Sequence, residues 1–209
     1  MITEIENRYG GSLPKSLYFV RHGQSVANAN QTAGGDLGLT ELGKKQAREA
    51  GVELRTHLDS EVPMAFVHTG LARSQMTLEI IADVVGNKIP FIEHSGFRER
   101  HMGNYEGMPL SEAFKIPEIK SLHEVHGREF TSFLESKENK VEPLIEMYGR
   151  IATGITALLG EYKDGTVVVV GHAGSMKIVR SIYEQATVDN LRSYLAKISV
   201  KNCEIYKFG

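Results

Sequence analysis

Short apolar runs rich in β-branched and aromatic residues alternate along the chain with segments whose apolar residues recur every three or four positions. The first pattern predicts strands and the second predicts amphipathic helices. Strands are predicted at residues 17–20, 64–68, 88–93 and 166–170 and within 198–208. Strands that alternate with helices are typical of βαβ units, so the chain is predicted to be an α/β protein, a three-layer α/β/α sandwich with a mostly parallel central sheet.

The helical segments carry start and stop signals. Thr40 is a candidate cap for a helix that runs to about residue 58, and its apolar stripe includes Ala47 and Leu54. A second helix follows residue 71 and is predicted to stop at Gly86. Two further helices are predicted at about 142–162 and from about 175. Pro90 lacks a backbone donor, so the strand that contains it is predicted to lie at a sheet edge.

The helical and strand patterns break down between residues 96 and 141, where glycines and prolines punctuate a charged stretch. We predict that this segment, called the cap segment below, is an irregular cap inserted into one domain that comprises residues 1–209. Residues 1–16 form an N-terminal extension whose acidic residues do not match a signal peptide. At 209 residues the chain is expected to form a single domain.

Composition narrows the classes of partner. The chain has 24 Lys and Arg against 26 Asp and Glu, a formal net charge of -2. This balance argues against nucleic acid or an anionic membrane as partner, so an anion site has to be local. Cys203 is the one cysteine, which excludes an internal disulfide. Because the apolar runs are too short to span a bilayer, a cytoplasmic protein with no membrane partner is expected. The oligomeric state is not predicted.

Polar residues follow three of the predicted strands. Arg21 and His22 come directly after the first strand, Arg73 follows the second, and His172 follows the strand at 166–170. The carboxyl ends of parallel strands share one edge of a sheet, where open α/β sheets place ligands. Two guanidinium groups offer paired donors to phosphate oxygens, and two histidines can supply a nucleophile and a further donor. The combination indicates a site for a phosphoryl group.

Simpler interpretations exist for each residue alone. A histidine after a strand is more often structural, and an arginine at a helix start is more often solvated. Glu99 stands between Arg98 and Arg100, where a surface ion pair is the ordinary expectation. His123 and His126 are spaced by three and lack the spacing of a zinc protease helix, so they are predicted to form a solvated surface without metal.

Five ordered motifs resemble the histidine phosphatase superfamily, also called the phosphoglycerate mutase-like family, from about residue 17 to residue 208. They are Val20-Arg21-His22-Gly23-Gln24-Ser25 with Asn28, Leu39-Thr40-x-x-Gly43-x-x-Gln46-Ala47, Leu71-Ala72-Arg73-Ser74-x-x-Thr77, Phe97-Arg98-Glu99-x-x-x-Gly103-x-x-Glu106-Gly107 and Val170-Gly171-His172-Ala173-Gly174. The resemblance implies an α/β fold with a central sheet flanked by helices.

The resemblance also implies roles. His22 is the expected nucleophile, which becomes a transient phosphohistidine, and Glu99 is the expected proton donor to the leaving alcohol. Attack requires a neutral imidazole, so one ring nitrogen of His22 is expected to hold its proton in a hydrogen bond to nearby backbone. The residues expected to bind the phosphoryl oxygens are Arg21, Asn28, Arg73 and His172. Neither a metal nor another cofactor is expected, because these cationic and polar groups supply the positive charge.

Four sites depart from the common family pattern: Gln24 replaces Glu, Gly38 replaces Pro, Thr69-Gly70 replaces a Ser/Thr-Pro pair, and Ala173 replaces Gly. The four sites do not include any of the charged residues expected in the site, Arg21, Arg73 and Glu99.

Three functions remain open from the sequence. The first is a metal-independent phosphomonoesterase acting on a small phosphorylated substrate. The second is a 2,3-bisphosphoglycerate-dependent phosphoglycerate mutase, and the third is a module that binds a phosphorylated ligand without turnover. The sugar-acid mutases carry Tyr-Gly after the acid segment and Trp-containing loops, whereas this chain has Met102-Gly103-Asn104-Tyr105-Glu106-Gly107 there and no Trp. The chain therefore resembles the phosphatase branch, and its cap segment is not basic enough to favour a heavily phosphorylated substrate.

Overall fold

A five-stranded sheet forms the centre of the protein. The computed structural model describes residues 16–58, 62–86, 88–162 and 164–208. The strands are β1 (Ser16–Arg21), β2 (Ala65–His68), β3 (Phe91–Glu93), β4 (Thr166–Gly171) and β5 (Ile205–Phe208), and they lie in the order β3-β2-β4-β1-β5. Only the β1–β5 pair is antiparallel among these strands. The predicted mostly parallel sheet is confirmed, and β3 lies at its edge as Pro90 indicates.

Eight α-helices accompany the sheet in the described part of the chain. They are α1 (Val26–Ala29), α2 (Glu41–Leu58), α3 (Ala72–Val85), α4 (Leu110–Ala113), α5 (Pro117–His126), α6 (Leu144–Glu161), α7 (Ala173–Tyr183) and α8 (Leu191–Ala196). The hydroxyl of Thr40 accepts the Gly43 amide at 3.0 Å, so Thr40 caps α2 as predicted. Gly86 ends α3 in the left-handed conformation at φ 81°. None of these helices is long and apolar enough to cross a membrane.

The two faces of the sheet are covered by different helices because side chains alternate along each strand. Tyr18, Val20 and Phe66 belong to an apolar cluster that contains residues of α2 and α3. Leu17 and Phe19 point to the opposite face, where their cluster contains residues of α6, α7 and α8. The central β4 is buried along its whole length. The predicted three-layer sandwich is therefore confirmed.

Several boundaries differ from the sequence prediction. The helix predicted from residue 142 begins at Leu144, because Pro143 occupies the cap position. The helix predicted from residue 175 begins at Ala173, since His172 is its N-cap. Only Ile205–Phe208 of the predicted strand region 198–208 pairs with the sheet. Residues 1–15 of the predicted extension lie outside the described residues, and residue 16 already belongs to β1.

The cap segment is more regular than predicted. It contains α4, α5 and the short 3-10 helices Gly103–Tyr105 and Gly127–Ser132. Its side chains form an apolar cluster of their own, built around Ile119, Phe130 and Leu134. The sequence pattern hid this order because each helix is short. The two α-helices also lie at prolines, since α4 follows Pro109 and α5 begins at Pro117.

The two histidines of α5 are not the solvated pair that the sequence predicts. Both are half-buried. His123 packs against Phe114 with ring centroids 4.2 Å apart, and His126 stacks on Phe133 at 3.6 Å. They stabilise the cap segment through ring contacts, and no group of three or more candidate metal ligands occurs in the described part of the chain.

Candidate active site

The carboxyl ends of the central strands bring the expected residues together. Arg21 is the last residue of β1, His22 follows it, and His172 follows the neighbouring β4. The two imidazole rings lie 5.1 Å apart between centroids. Arg73 lies in the first turn of α3, which follows β2 on the other side of β4. The convergence that the sequence predicts is thus present in the fold.

The imidazole of His22 is buried and oriented by its own loop. Its Nδ1 lies 2.7 Å from the carbonyl oxygen of Gly23, so Nδ1 carries the proton and donates it to that oxygen. Nε2 then carries a lone pair and no proton. Burial, followed by the charge of Arg73, lowers the pKa of His22 to about 3. The ring is therefore neutral across the physiological pH range.

Both expected arginines lie at this end of the sheet and have few acceptors. Arg73 is buried and Arg21 is half-buried. Arg21 donates from Nη1 to the carbonyl of Val200 at 2.7 Å, while its buried Nε has no acceptor among the described residues. Arg73 donates from Nη1 to the carbonyl of Gly35. Burial lowers the pKa of both guanidinium groups from its ordinary value, and the charge of Glu99 opposes that shift. Both remain cationic, so each has donors to offer an anion.

His172 is held by a residue to which sequence analysis assigned no role. The ring is fully buried, and its Nε2 lies 2.9 Å from the hydroxyl oxygen of Thr69. Burial, followed by the proximity of His22, lowers the pKa of His172 well below its usual value, so this ring is also neutral. Thr69 follows β2 directly, and its place at a strand end is the signal that could have identified it.

The Thr69-Gly70 departure from the family pattern is held rigid by contacts. The Thr69 amide donates to Ser74 Oγ at 3.1 Å, and Arg98 Nε donates to the Thr69 carbonyl at 2.8 Å. Gly70 has a φ of 81°, which a proline ring cannot adopt. The backbone here follows a path that requires glycine, and hydrogen bonds supply the rigidity that proline would give.

Glu99 projects toward the start of α7. Its Oε2 accepts the Gly174 amide at 3.0 Å, and its Oε1 accepts the Arg100 amide at 3.0 Å. A Cβ at Gly174 would lie 2.1 Å from Oε1, so the glycine permits this close approach. The flanking guanidinium groups pair elsewhere, Arg98 with Glu93 and Arg100 with Glu135. The ordinary surface ion pair expected for Glu99 is not what the structure contains.

Asn28 is more exposed than His22, Arg73 and His172, which are buried. It is exposed at the end of α1, where its Oδ1 accepts the Ser25 amide at 3.2 Å and the Asn202 side-chain amide at 3.3 Å. It lines the same cavity as Arg21 and Arg73. Its side-chain amide remains at the cavity wall, within the set predicted to bind the ligand.

A loop between α1 and α2 links Arg73 to the cap segment. The Glu106 carboxylate accepts the Gly35 amide at 2.8 Å and the Met102 amide at 3.0 Å. The carbonyl of the same Gly35 accepts the Arg73 guanidinium. Glu106 belongs to a family motif that predicts no role for it, and the contact that suggests one joins residues 71 positions apart.

The site opens into a cavity of about 650 Å³ between the strand ends and the cap segment. Arg21, Arg73 and Glu99 line one part of it, and residues of the cap segment such as Phe130 line another. Two guanidinium groups with few acceptors and a carboxylate thus line a space large enough for a small phosphorylated molecule.

Comparison with known proteins identifies the relatives of this arrangement. The model of the histidine phosphatase superfamily (branch 1) matches residues 17–209. The 2,3-bisphosphoglycerate-dependent phosphoglycerate mutase of Cytophaga hutchinsonii is 31% identical over 182 residues, which cover 84% of this chain and 80% of the relative. The Bacillus subtilis protein named uncharacterized phosphatase PhoE is 28% identical over 159 residues, which cover 75% and 71% of the two chains.

Solved structures share the fold. The solved structure of mycobacterial glucosyl-3-phosphoglycerate phosphatase superposes with a TM-score of 0.73 at 20% identity and covers 92% of this chain and 90% of that chain. At this identity the likeness concerns the fold alone. The family match, in contrast, covers nearly all of the sequence and contains every motif described above. The chain belongs to the histidine phosphatase superfamily, an enzyme family with phosphatase and mutase members.

Proposed function

We propose that the protein is a metal-independent phosphomonoesterase that acts on a small phosphorylated substrate through a phosphohistidine on His22. One observation carries this proposal. The Nδ1 proton of His22 is directed to the Gly23 carbonyl at 2.7 Å, and the ring is neutral because burial lowers its pKa to about 3. A neutral ring with a fixed Nδ1 proton has its Nε2 lone pair ready for attack.

The first step transfers the phosphoryl group to the enzyme. The Nε2 lone pair of His22 forms a bond to phosphorus while the bond from phosphorus to the ester oxygen breaks. The leaving oxygen takes the electron pair of that bond and a proton from the carboxyl group of Glu99. Glu99 is suited to this role because the amides of Gly174 and Arg100 fix the orientation of its carboxyl group.

The second step returns the enzyme to its starting state. The Glu99 carboxylate takes a proton from water, and the water oxygen forms a bond to phosphorus. The bond between phosphorus and Nε2 breaks, and its electron pair returns to His22. Inorganic phosphate leaves, and both residues regain their initial protonation.

Arg21 and Arg73 supply the positive charge that both steps need. In a loose transition state for phosphoryl transfer, negative charge spreads over the three equatorial oxygens. Arg73 is buried and Arg21 is half-buried, and each has one acceptor among the described residues. The ring centroid of His172 lies 5.1 Å from that of His22. We therefore expect full activity in the presence of a chelator, measured as phosphate release. Complete loss in chelator, restored by Mg²⁺, would contradict the metal-independent assignment.

A second candidate function has its own support. The Cytophaga hutchinsonii relative, 31% identical over 84% of this chain, is named a 2,3-bisphosphoglycerate-dependent phosphoglycerate mutase. The two reactions share the phosphohistidine and differ in the acceptor of the phosphoryl group. Conversion of 3-phosphoglycerate to 2-phosphoglycerate in the presence of 2,3-bisphosphoglycerate, without net phosphate release, would replace the phosphatase proposal.

The experiment that tests the proposal compares wild type with His22→Ala on a chelator-treated panel of phosphate esters that includes both phosphoglycerates. We expect hydrolysis by wild type, an acid-labile phosphoenzyme after rapid quenching, and loss of both in His22→Ala. His57→Ala is the matched control, because His57 lies on the exposed side of α2 with half of its side chain accessible. Full activity in His22→Ala would overturn the mechanism. Phosphate binding without turnover of any ester would instead favour the binding module.

A further inference from the structure

A buried lysine in the cavity wall pairs with the cap segment and takes no part in the chemistry proposed above. Lys177 is 7% exposed and lies on α7. Its Nζ is 2.5 Å from Oε2 of Glu129, which belongs to the 3-10 helix Gly127–Ser132 of the cap segment. Both residues line the same cavity as Arg73 and Glu99. The pair therefore places one positive and one negative group side by side in the wall.

Two other cations near the cap segment, Arg100 and Arg150, each donate to several acceptors. Arg100 donates to the carbonyls of Thr131, Leu134 and Glu142 as well as to Glu135. Arg150 donates to Glu142 and to the carbonyls of Gly96, Arg98 and Glu99. Lys177 has one acceptor among the described residues, Glu129, although an ammonium group has three donors. Its hydrogen-bonding capacity is thus incompletely used at a cavity surface.

The position of Lys177 places it beside the leaving-group side of the site. Gly174, which holds Glu99, precedes Lys177 by three residues, a separation of about 4.5 Å along a helix. Residues three apart share a helix face, and helical side chains lean toward the N-terminus. The stem of Lys177 therefore leans along the wall toward the end of α7 that contacts Glu99, the group that faces the departing oxygen in the proposed mechanism.

We propose that Lys177 and Glu129 form a subsite for a zwitterionic leaving group, a phosphate ester whose alcohol carries both a carboxylate and an ammonium. The carboxylate binds Lys177 and the ammonium binds Glu129. This assignment rests on the proposed function, since it supplies the substrate class of that same site.

Charge balance favours a zwitterion over a singly charged group. A ligand with only a carboxylate has to compete with Glu129 for Lys177, and the displaced Glu129, 29% exposed, loses its cation. A ligand with only an ammonium strands the buried Lys177 in the same way. An unpaired charge in a partly buried place is costly. A zwitterion replaces one ion pair with two, so neither protein charge is left without a partner.

The test is a set of four esters that differ only in these groups: phosphoserine with both, 3-phosphooxypropionate with the carboxylate, phosphoethanolamine with the ammonium, and ethyl phosphate with neither. We expect wild type to turn over phosphoserine with a kcat/KM at least about tenfold above that of each other ester, the scale of a close charge pair. In Lys177→Met/Glu129→Gln, which leaves no buried charge unpaired, we expect this preference to fall below about threefold while ethyl phosphate turnover is kept.

Matched controls separate this subsite from general effects. Lys115→Met/Glu112→Gln removes an exposed ion pair of the cap segment and is expected to keep the wild-type order of esters. Affinities of the four esters for His22→Asn, measured by calorimetry, test the subsite even if no ester is hydrolysed. An unchanged order of esters in the double variant, or equal affinities of all four esters, would overturn the proposal. Failure of wild type to hydrolyse ethyl phosphate or any other ester would count against the phosphatase function instead.

Discussion

The two ends of the cavity hold their arginines in different ways. At the strand ends, Arg21 and Arg73 each donate to one backbone carbonyl among the described residues, and the buried Nε of Arg21 has no acceptor there. At the cap end, Arg100 is buried like Arg73 but donates to three backbone carbonyls and to Glu135. Guanidinium donors without a protein acceptor are available to bind an anion, whereas donors that all have protein acceptors stabilise the fold.

The largest expected difference separates Arg73 from Arg100. In the proposed mechanism Arg73→Ala removes a donor to the transferring phosphoryl group, so kcat/KM on p-nitrophenyl phosphate should fall about 10²–10³-fold with little loss of stability. Arg100→Ala strands buried acceptors in the cap segment and should lower the free energy of unfolding by about 3–5 kcal/mol. Steady-state kinetics and denaturant unfolding of both variants test this. Equal effects on activity and on stability in the two variants would remove the distinction between the ends.

Burial at the strand ends should also make the stability of the protein depend on pH through His22. Its pKa falls from 6.5 to about 3 in the folded state. Because the unfolded chain binds the proton more tightly, the fold is unaffected by this group above pH 6.5 and loses stability as pH falls toward 3. Between pH 7 and pH 4, wild type should lose about 3 kcal/mol more than His22→Gln, which cannot titrate. If the free energies of unfolding of the two proteins changed equally between pH 7 and pH 4, the lowered pKa of His22 would be contradicted.

An effect of intermediate size on KM is expected at Glu106, which connects the cap segment to Arg73 through Gly35. In Glu106→Gln the carboxamide keeps one acceptor oxygen, so the amide of Gly35 or Met102 loses its partner. The Gly35 carbonyl that orients Arg73 then loses its support, and KM should rise about tenfold with a smaller change in kcat. Glu106→Gln and Arg73→Lys both alter binding by the guanidinium group of Arg73. Their losses of kcat/KM should therefore be less than additive in the double variant.

Glu112→Gln is the matched control for this relay, since Glu112 lies in the cap segment and pairs only with the exposed Lys115 among the described residues. Its KM should equal that of wild type. Full additivity of Glu106→Gln and Arg73→Lys would show that Glu106 does not act through Arg73.

The sheet and the location of the site were predictable because both depend on local patterns. Buried strands such as β1 and β4 are continuous apolar runs, and residues just past them must lie at one edge of the sheet. The cap segment was not predictable in detail. Its helices are short, and α5 is stabilised by ring contacts of His123 and His126 rather than by a long apolar stripe.

The contacts around the site could not be predicted from the sequence either. Thr69 meets His172 across 103 positions, and Lys177 meets Glu129 across 48. No periodicity links residues so far apart, because their proximity depends on how β2, α7 and the cap segment pack. Family motifs identified the charged groups of the centre, whereas these supporting partners required the packed structure.

The smallest predicted effect concerns one such partner. Thr69→Val keeps the shape of the side chain and the backbone contacts with Ser74 and Arg98, but removes the hydroxyl that lies 2.9 Å from His172 Nε2. Loss of that hydrogen bond leaves a fully buried imidazole less firmly oriented, so kcat should fall about tenfold while KM changes less. Thr69→Ser should restore most of the activity, since it returns the hydroxyl. Thr153→Val on the exposed face of α6 is the control. If kcat of Thr69→Val stays within about twofold of wild type, Thr69 packs against His172 without orienting it. The positions of His22 and His172 would then be set by the ends of β1 and β4 and by burial alone.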